Sequence, residues 1–195
     1  QPEFTQIDME LSFVDVDDVI EVNERLLAKL FKEVLGVEVS LPIQRMTWQE
    51  AMDRFGSDKP DIRFGMELQN VTEVVKDFDF VVFKSAIENG GTVRGINAKG
   101  QGSMARKKID KLVEFAKGYG AKGLAWACFN EDGSIKSQIM KFLGEDTIRN
   151  IGEKMGAKGG DLVLMIADKP ATVARALGEL RLEMARRMNM IDQDK

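Results

Sequence analysis

No histidine occurs in these 195 residues, and there is a single cysteine, Cys128. The first absence removes Ser-His-Asp and Cys-His nucleophile chemistry and leaves only carboxylates and one thiol as metal ligands. A histidine-dependent active site would have to draw its histidines from elsewhere. A lone cysteine forms no internal disulfide, which fits a reducing compartment better than a secreted setting, so a cytoplasmic protein is expected. No apolar run approaches the ~20 residues of a membrane helix and no secretory pattern opens the chain, so no membrane partner is expected either. Zinc-cluster spacing, a calcium loop and a Walker A sequence are also missing, and no metal site is expected. What is present is ordinary for a globular protein: 44% hydrophobic and 31% charged residues, enough chain for one or two domains with a sizeable core.

Charge is unevenly spread. Residues 1–65 hold 7 Lys/Arg against 14 Asp/Glu, a net of −7, whereas residues 66–195 hold 21 against 18, a net of +3. Nine basic residues and three acidic ones lie between Lys84 and Lys122. Two physically different pieces are implied, the second able to face a polyanion; the alternative is a solvated helix face.

The opening QPEFTQIDMELSFV alternates, with Phe4, Gln6, Asp8 and Glu10 on one side and Thr5, Ile7, Met9 and Leu11 on the other, which predicts a strand with one apolar face. Asp15 begins an amphipathic helix that stops at Gly36. Thr47 and Glu50 stand at capping-box spacing before a short helix ending at Gly56, and the charged, proline-bearing SDKPDIR (57–63) reads as a loop. FVVFKSAIENGGTVRGINAKG predicts two strands around Asn89-Gly90-Gly91. Ser103 is placed to cap a helix running to about Tyr119; GLAWACFN is strand-like and turns back at Asp132-Gly133. A helix over 144–155, a buried strand DLVLMIA and a closing helix from Pro170 to about Met188 complete the pattern. Hairpins mixed with helices, without a regular βαβ rhythm, predict an α+β fold.

Gly100-Gln-Gly-Ser-Met-Ala105 matches G-x-G-x-x-G/A between a predicted strand and a helix, as a dinucleotide loop would. Against that, the strand before it reads as the second arm of a hairpin, and Lys122 and Gly123 stand where a ribose-binding acid belongs. A glycine-rich turn is the competing interpretation. Cys128, in an apolar strand, is a packing residue rather than a nucleophile. The polar face of the first strand carries an aromatic ring at Phe4 and, about 13 Å along, the carboxylate of Asp8, a stacking surface and an ammonium partner. A solvent-facing edge strand explains the same pattern.

PEFT followed by a strand resembles the second half of motif 2 in class II aminoacyl-tRNA synthetases, in the subclass holding the aspartyl, asparaginyl and lysyl enzymes. QPEFTQIDME followed by LSFV is similar to the bacterial-type aspartyl family in particular. TWQEAMDRFGSDKPDIRFGMEL (47–68) is similar to that family's region after motif 2, with Trp48 and Phe55 where tyrosine is more usual. The remainder, with GLAW, GDLVLMIAD and LGELR, resembles the GAD domain, an α+β insert between motifs 2 and 3 that certain tRNA-dependent amidotransferase subunits share.

The resemblance implies a partial class II catalytic domain over 1–68, a GAD-type insertion domain over 69–190 (an antiparallel or mixed sheet with flanking helices) and a tail over 191–195. It implies that Gln1 contacts ATP, that Phe4 stacks on adenine, and that Gln6 and Asp8 hold aspartate, Asp8 facing its α-ammonium. The parent activity would be aspartate–tRNA ligation, with L-aspartate, tRNA(Asp) and ATP with Mg2+ as substrates and a homodimer as the working form. No catalytic residue is expected within the chain. It would be inactive alone and hold no cofactor, because motifs 1 and 3 and the anticodon-binding domain are missing from it. Arg106, Lys107, Lys108 and Lys111 are the candidate tRNA contacts. Two other classes remain open here: a non-catalytic GAD-bearing module of an amidotransferase, and a dinucleotide oxidoreductase built on Gly100–Ala105, which requires a parallel sheet.

Overall fold

A computed structural model describes residues 2–191. The chain divides into two compact units between Met46 and Thr47. The division expected from family resemblance lay at 68/69; helix and loop residues 47–68 pack with the second unit.

In the first unit, residues 2–11 form neither a helix nor a strand. The predicted strand with one buried face is not found: residues 2–11 are all exposed, Ile7 at 67% and Met9 and Leu11 included. A strand is defined by ladder bonds to a neighbour, which periodicity alone does not supply. Helix α1 (Val16–Leu30) begins as expected at Asp15. Its carboxylate accepts from the Asp17 and Asp18 amides, while the Asp15 amide donates to Asp18 Oδ2, completing a capping box. One π-helical turn (Phe31–Leu35) carries it to Gly36, where φ is 69°. The following segment is tied back by Arg45 Nη1 on Asp17 Oδ1 at 2.6 Å and by the Ile43 amide on Glu24 Oε1 at 3.0 Å.

The second unit is a five-stranded sheet between two helical layers. In chain order it contains α2 (Trp48–Phe55), β1 (Gln69–Asn70), α3 (Thr72–Val75), α4 (Val81–Glu88), β2 (Thr92–Ala98), α5 (Arg106–Gly118), β3 (Ala125–Phe129), β4 (Ile135–Ser137), α6 (Met140–Leu143), α7 (Glu145–Lys154), β5 (Leu162–Asp168) and α8 (Pro170–Arg187). The sheet order is β1-β2-β5-β3-β4 and every pairing is antiparallel. The α+β expectation holds. Strand β5 is central and buried on both faces, as its uninterrupted apolar run requires. Leu162, Leu164 and Ile166 meet Ile109, Leu112, Leu177 and Leu180 of α5 and α8 on one side. Val163, Met165 and Ala167 meet Phe83, Ile148 and Ile151 of α4 and α7 on the other.

Two local expectations fail. Val81–Glu88 is helical, so no hairpin forms about Asn89-Gly90-Gly91. The two valines suggested a strand, but Phe80, Phe83 and Ile87 share a helical stripe, with Phe83 buried and edge-on to Phe80 at 4.9 Å. Gly90, at φ 74°, follows the end of α4, and β2 pairs with β5, 70 residues on, in the register Thr92↔Asp168 through Ala98↔Leu162. Likewise Ser103 does not cap α5; Ala105 occupies the cap and offers no side-chain acceptor.

Helix α2 sits on α8 where two backbones nearly touch. A Cβ on Gly178 would lie 2.9 Å from the Gly56 carbonyl oxygen and 3.0 Å from that of Phe55, whereas a Cβ on Gly118 would meet nothing within 4 Å. Gly178→Ala is therefore expected to destabilise the chain by about 1–3 kcal/mol through overpacking, although alanine is the better helix former. Gly118→Ala should stabilise by about 0.5 kcal/mol. Urea denaturation of the two variants, read as opposite shifts in midpoint, checks both.

Candidate functional site

The residues picked out in the opening segment do not converge on a pocket. Phe4 is 71% exposed, Gln6 and Asp8 are exposed, and none has a hydrogen-bond partner in the described chain; Gln1 lies outside the described residues. The basic stretch separates into paired and unpaired charges. Lys84 binds Asp79 and Arg94 binds Asp53, each at 2.6 Å, and both acids precede the stretch; Arg106 binds Asp110 and Lys117 binds Glu114, each at 2.8 Å. Lys107, Lys108 and Lys111 have no ion-pair partner among the described residues and are exposed on α5. Arg106 is committed further, its guanidinium lying over the Trp126 ring at 5.0 Å.

The Gly100–Ala105 loop is a turn and not a dinucleotide cradle. Strand β2 before it is antiparallel to both neighbours. The space beside it is about 230 Å³, below the usual size of a cofactor pocket. Gly102 is needed for a different reason: its amide donates to the Gly160 carbonyl at 2.6 Å, and a Cβ would come within 2.8 Å of that backbone. Cys128 is buried on β3, and burial pushes its thiol above its ordinary value, the behaviour of an inert packing residue. A larger cavity, about 660 Å³, lies beside α4, and its walls include Phe83, Ala125, Met165 and Asp168. Of the basic residues in the stretch it takes in Lys122 alone, and it takes in none of Phe4, Gln6, Asp8, Arg106, Lys107, Lys108 and Lys111.

The densest polar constellation surrounds residues 47–68, the TWQEAMDRFGSDKPDIRFGMEL segment, whose polar network the sequence reading did not predict. Arg54 grips both oxygens of Glu67, at 2.8 and 2.9 Å, and reaches Glu50 at 2.6 Å. Thr47 caps α2 as expected, but Glu50 is spent on Arg54 and does not close the box. Arg94 of β2 donates to the Asp53 carboxylate at 2.6 Å and to its carbonyl at 3.0 Å. From α8, Arg181 is 1% exposed. Its Nη2 donates to the carbonyls of Asp61, Phe64 and Gly65 at 2.8–2.9 Å, and its Cζ lies 4.0 Å from the centre of the Phe64 ring and 4.9 Å from that of Phe55. Burial lowers the pKa of this guanidinium, while Asp61 and Glu67 partly offset it. The signal was the arginine of LGELR, at an otherwise apolar position of a buried helix face.

Charge pairing here fixes the acid response. Hydrogen bonds from Arg54 hold the Glu67 carboxyl below its ordinary value, those from Arg63 do so for Asp61, and those from Gln49 and then Arg94 do so for Asp53. A carboxylate whose folded pKa is depressed contributes stability that is complete above its unfolded pKa and disappears as pH falls through the folded one. Unfolding free energy should therefore be level near neutrality and fall below about pH 4.5. Glu67→Gln should make that acid slope shallower, and denaturant titrations at several pH values between neutrality and 3 measure it.

Residues 83–177 match the family profile described as GAD domain. The whole chain aligns with one part of several larger proteins. An aspartate–tRNA(Asp/Asn) ligase of Lachnoclostridium phytofermentans is 66% identical over 194 residues, 100% of this chain and 32% of that protein. Aspartate–tRNA ligases of Agathobacter rectalis and Clostridium novyi are 64% and 60% identical over 195 residues, 100% of this chain and 33% of each relative. The chain spans about a third of the length of these curated relatives. Along its whole length the chain is similar to about a third of these aspartate–tRNA ligases, and its residues 83–177 are similar to the GAD domain.

Proposed function

We propose that this chain is a segment of an aspartate–tRNA ligase and contributes half of the aspartyl-adenylate pocket together with the GAD domain. Identity of 60–66% along the whole chain to proteins bearing that name carries the proposal. In this reading residues 1–68 belong to the catalytic domain, 69–190 form the insertion and 191–195 are a tail. The aspartate carboxylate attacks the α-phosphate of MgATP, and the aspartyl group then moves to the 3′ end of tRNA(Asp). Phe4 and Gln1 serve ATP; Gln6 and Asp8 serve aspartate, Asp8 by pairing with its ammonium. Such residues bind and orient, which is most of what adenylate formation asks of a protein. The working enzyme is a cytoplasmic homodimer, and this third alone does not activate aspartate. The exposure of Phe4, Gln6 and Asp8 agrees with a pocket whose other wall is supplied by parts of the enzyme outside these residues. An amidotransferase GAD module has no use for residues 1–68, which align with the ligases as fully as the rest.

The unpaired Lys107, Lys108 and Lys111 are the tRNA-facing charges in this reading. Lys107 and Lys108 sit in the first turn of α5, where a cation opposes the helix dipole, so a role outside stability accounts for them better than a role within it.

In the full-length protein containing this chain, aspartate-dependent ATP–pyrophosphate exchange should be measurable, and the 195-residue chain alone should show none. Asp8→Asn should raise KM for aspartate by about 10–100-fold, the loss of one charge-assisted bond, with KM for ATP little changed. Replacing Lys107, Lys108 and Lys111 with glutamine should flatten the salt dependence of tRNA binding by about 0.9 in log–log slope for each duplex phosphate no longer neutralised. Exchange without aspartate, or an unchanged slope, would overturn the corresponding assignment.

A further inference from the structure

The cavity of about 660 Å³ beside α4 takes no part in the ligase reading. It lies within the second unit, on the face of the sheet that α4 and α7 cover. Its volume falls in the range of about 300–1,000 Å³ that small-ligand sites occupy. The two ends of the cavity differ. Toward the start of α4 the walls are Phe80, Val81, Val82 and Phe83. Val81 and Val82 are 75% and 51% exposed, two β-branched side chains that the fold leaves uncovered.

The other end is charged. Strand β3 is antiparallel to β5 with Ala125 opposite Met165, so residues entering β3 and residues leaving β5 share one end of the sheet. Lys122, Asp168 and Lys169 line the cavity there. The end of α4 reaches the same place, since a Cβ on Gly91 would lie 2.6 Å from the carbonyl oxygens of both Ala86 and Asp168. Asp168 is 8% exposed. Its Oδ1 accepts from the Lys169 amide at 2.8 Å, and its Oδ2 has no partner among the described residues. Lys122 and Lys169 are exposed and form no ion pair among the described residues. A buried carboxylate with one oxygen unspent calls for a donor. Two unpaired lysines at the rim call for an anion.

We propose that this cavity binds a zwitterion with an apolar body, a free α-amino acid carrying an aromatic or large aliphatic side chain. Its ammonium pairs with Asp168, its carboxylate with Lys122 and Lys169, and its side chain lies along Phe80, Val82 and Phe83. An amine without the carboxylate meets two lysines at the mouth, and a carboxylate without the ammonium meets Asp168. Only a ligand with both charges at one end satisfies all three groups. A second acid on the side chain, as in aspartate, would be left among apolar walls, so this ligand differs from the one assigned to the opening segment. The site is built from the second unit alone and does not depend on the ligase reading.

The test is calorimetric titration of the full-length protein, in saturating L-aspartate, with L-phenylalanine as the probe. Phenethylamine, which lacks the carboxylate, and 3-phenylpropionate, which lacks the ammonium, are its matched halves. L-Phenylalanine should bind saturably, and each half should bind about tenfold or more weakly, the loss of one charge-assisted contact. Asp168→Asn keeps an acceptor for the Lys169 amide and removes the charge. It should weaken L-phenylalanine by about tenfold or more and leave 3-phenylpropionate no weaker. Lys122→Gln combined with Lys169→Gln should weaken L-phenylalanine and leave phenethylamine no weaker. Hydrogen exchange should slow over residues 80–89 when L-phenylalanine is added. If Asp168→Asn does not fold, the lysine pair and the two halves decide. Absence of saturable binding overturns the proposal, and so does binding that these variants leave unchanged, the mark of a site elsewhere. Equal affinity for L-phenylalanine and either half overturns it as well.

Discussion

One guanidinium organises the second unit. Arg181 sits where water does not reach, takes three carbonyls on one nitrogen and lies over two phenylalanine rings. A cation in such a place is tolerated only when acceptors surround it, so the loop that supplies them must follow one course. Around that constraint the neighbouring contacts fall into line. Gly56 and Gly178 let α2 and α8 approach at backbone distance, Arg94 reaches from β2 to hold Asp53, and Arg54 closes the return through Glu67. The outcome is that residues 47–68, which resemble a catalytic domain by sequence, are packed as part of the GAD-bearing unit.

The sheet sets the second limit. With β5 between β2 and β3, the β2–α5–β3 connection joins strands that run the same way without being neighbours. No parallel ladder exists among the described pairs, so the glycine-rich turn before α5 has no crevice of the kind that binds dinucleotides. Gly102 serves the approach of two backbone segments instead. The same connection turns one side of α5 into the core through Ile109, Leu112 and Ala116 and leaves Lys107, Lys108 and Lys111 facing water.

Strands and helices that carry their own instructions were legible from residue order. The helix start at Asp15, the stop at Gly36, the turn at Asp132-Gly133, the buried DLVLMIA and the proline at the start of α8 all signal locally, and each element forms where that signal lies. Val81–Glu88 misled because β-branched residues and helical spacing coexist there, and only packing of Phe83 beneath the sheet settles which wins. Charge counting misled in a similar way: Arg94 and Lys84 looked like part of a basic surface until Asp53 and Asp79 were found beside them.

Residue order by itself determined the α+β class, the helical and strand segments with local caps and turns, and a motif content specific enough to single out one enzyme family. Those properties depend on neighbours within a few positions, or on the bare identity of residues. The tertiary structure alone decided that Phe4, Gln6 and Asp8 stand exposed, which lysines of α5 are free, and that Arg181 bonds to a loop more than a hundred residues before it. Each of these is set by which distant groups come within hydrogen-bond reach, and no periodicity in the chain encodes that distance.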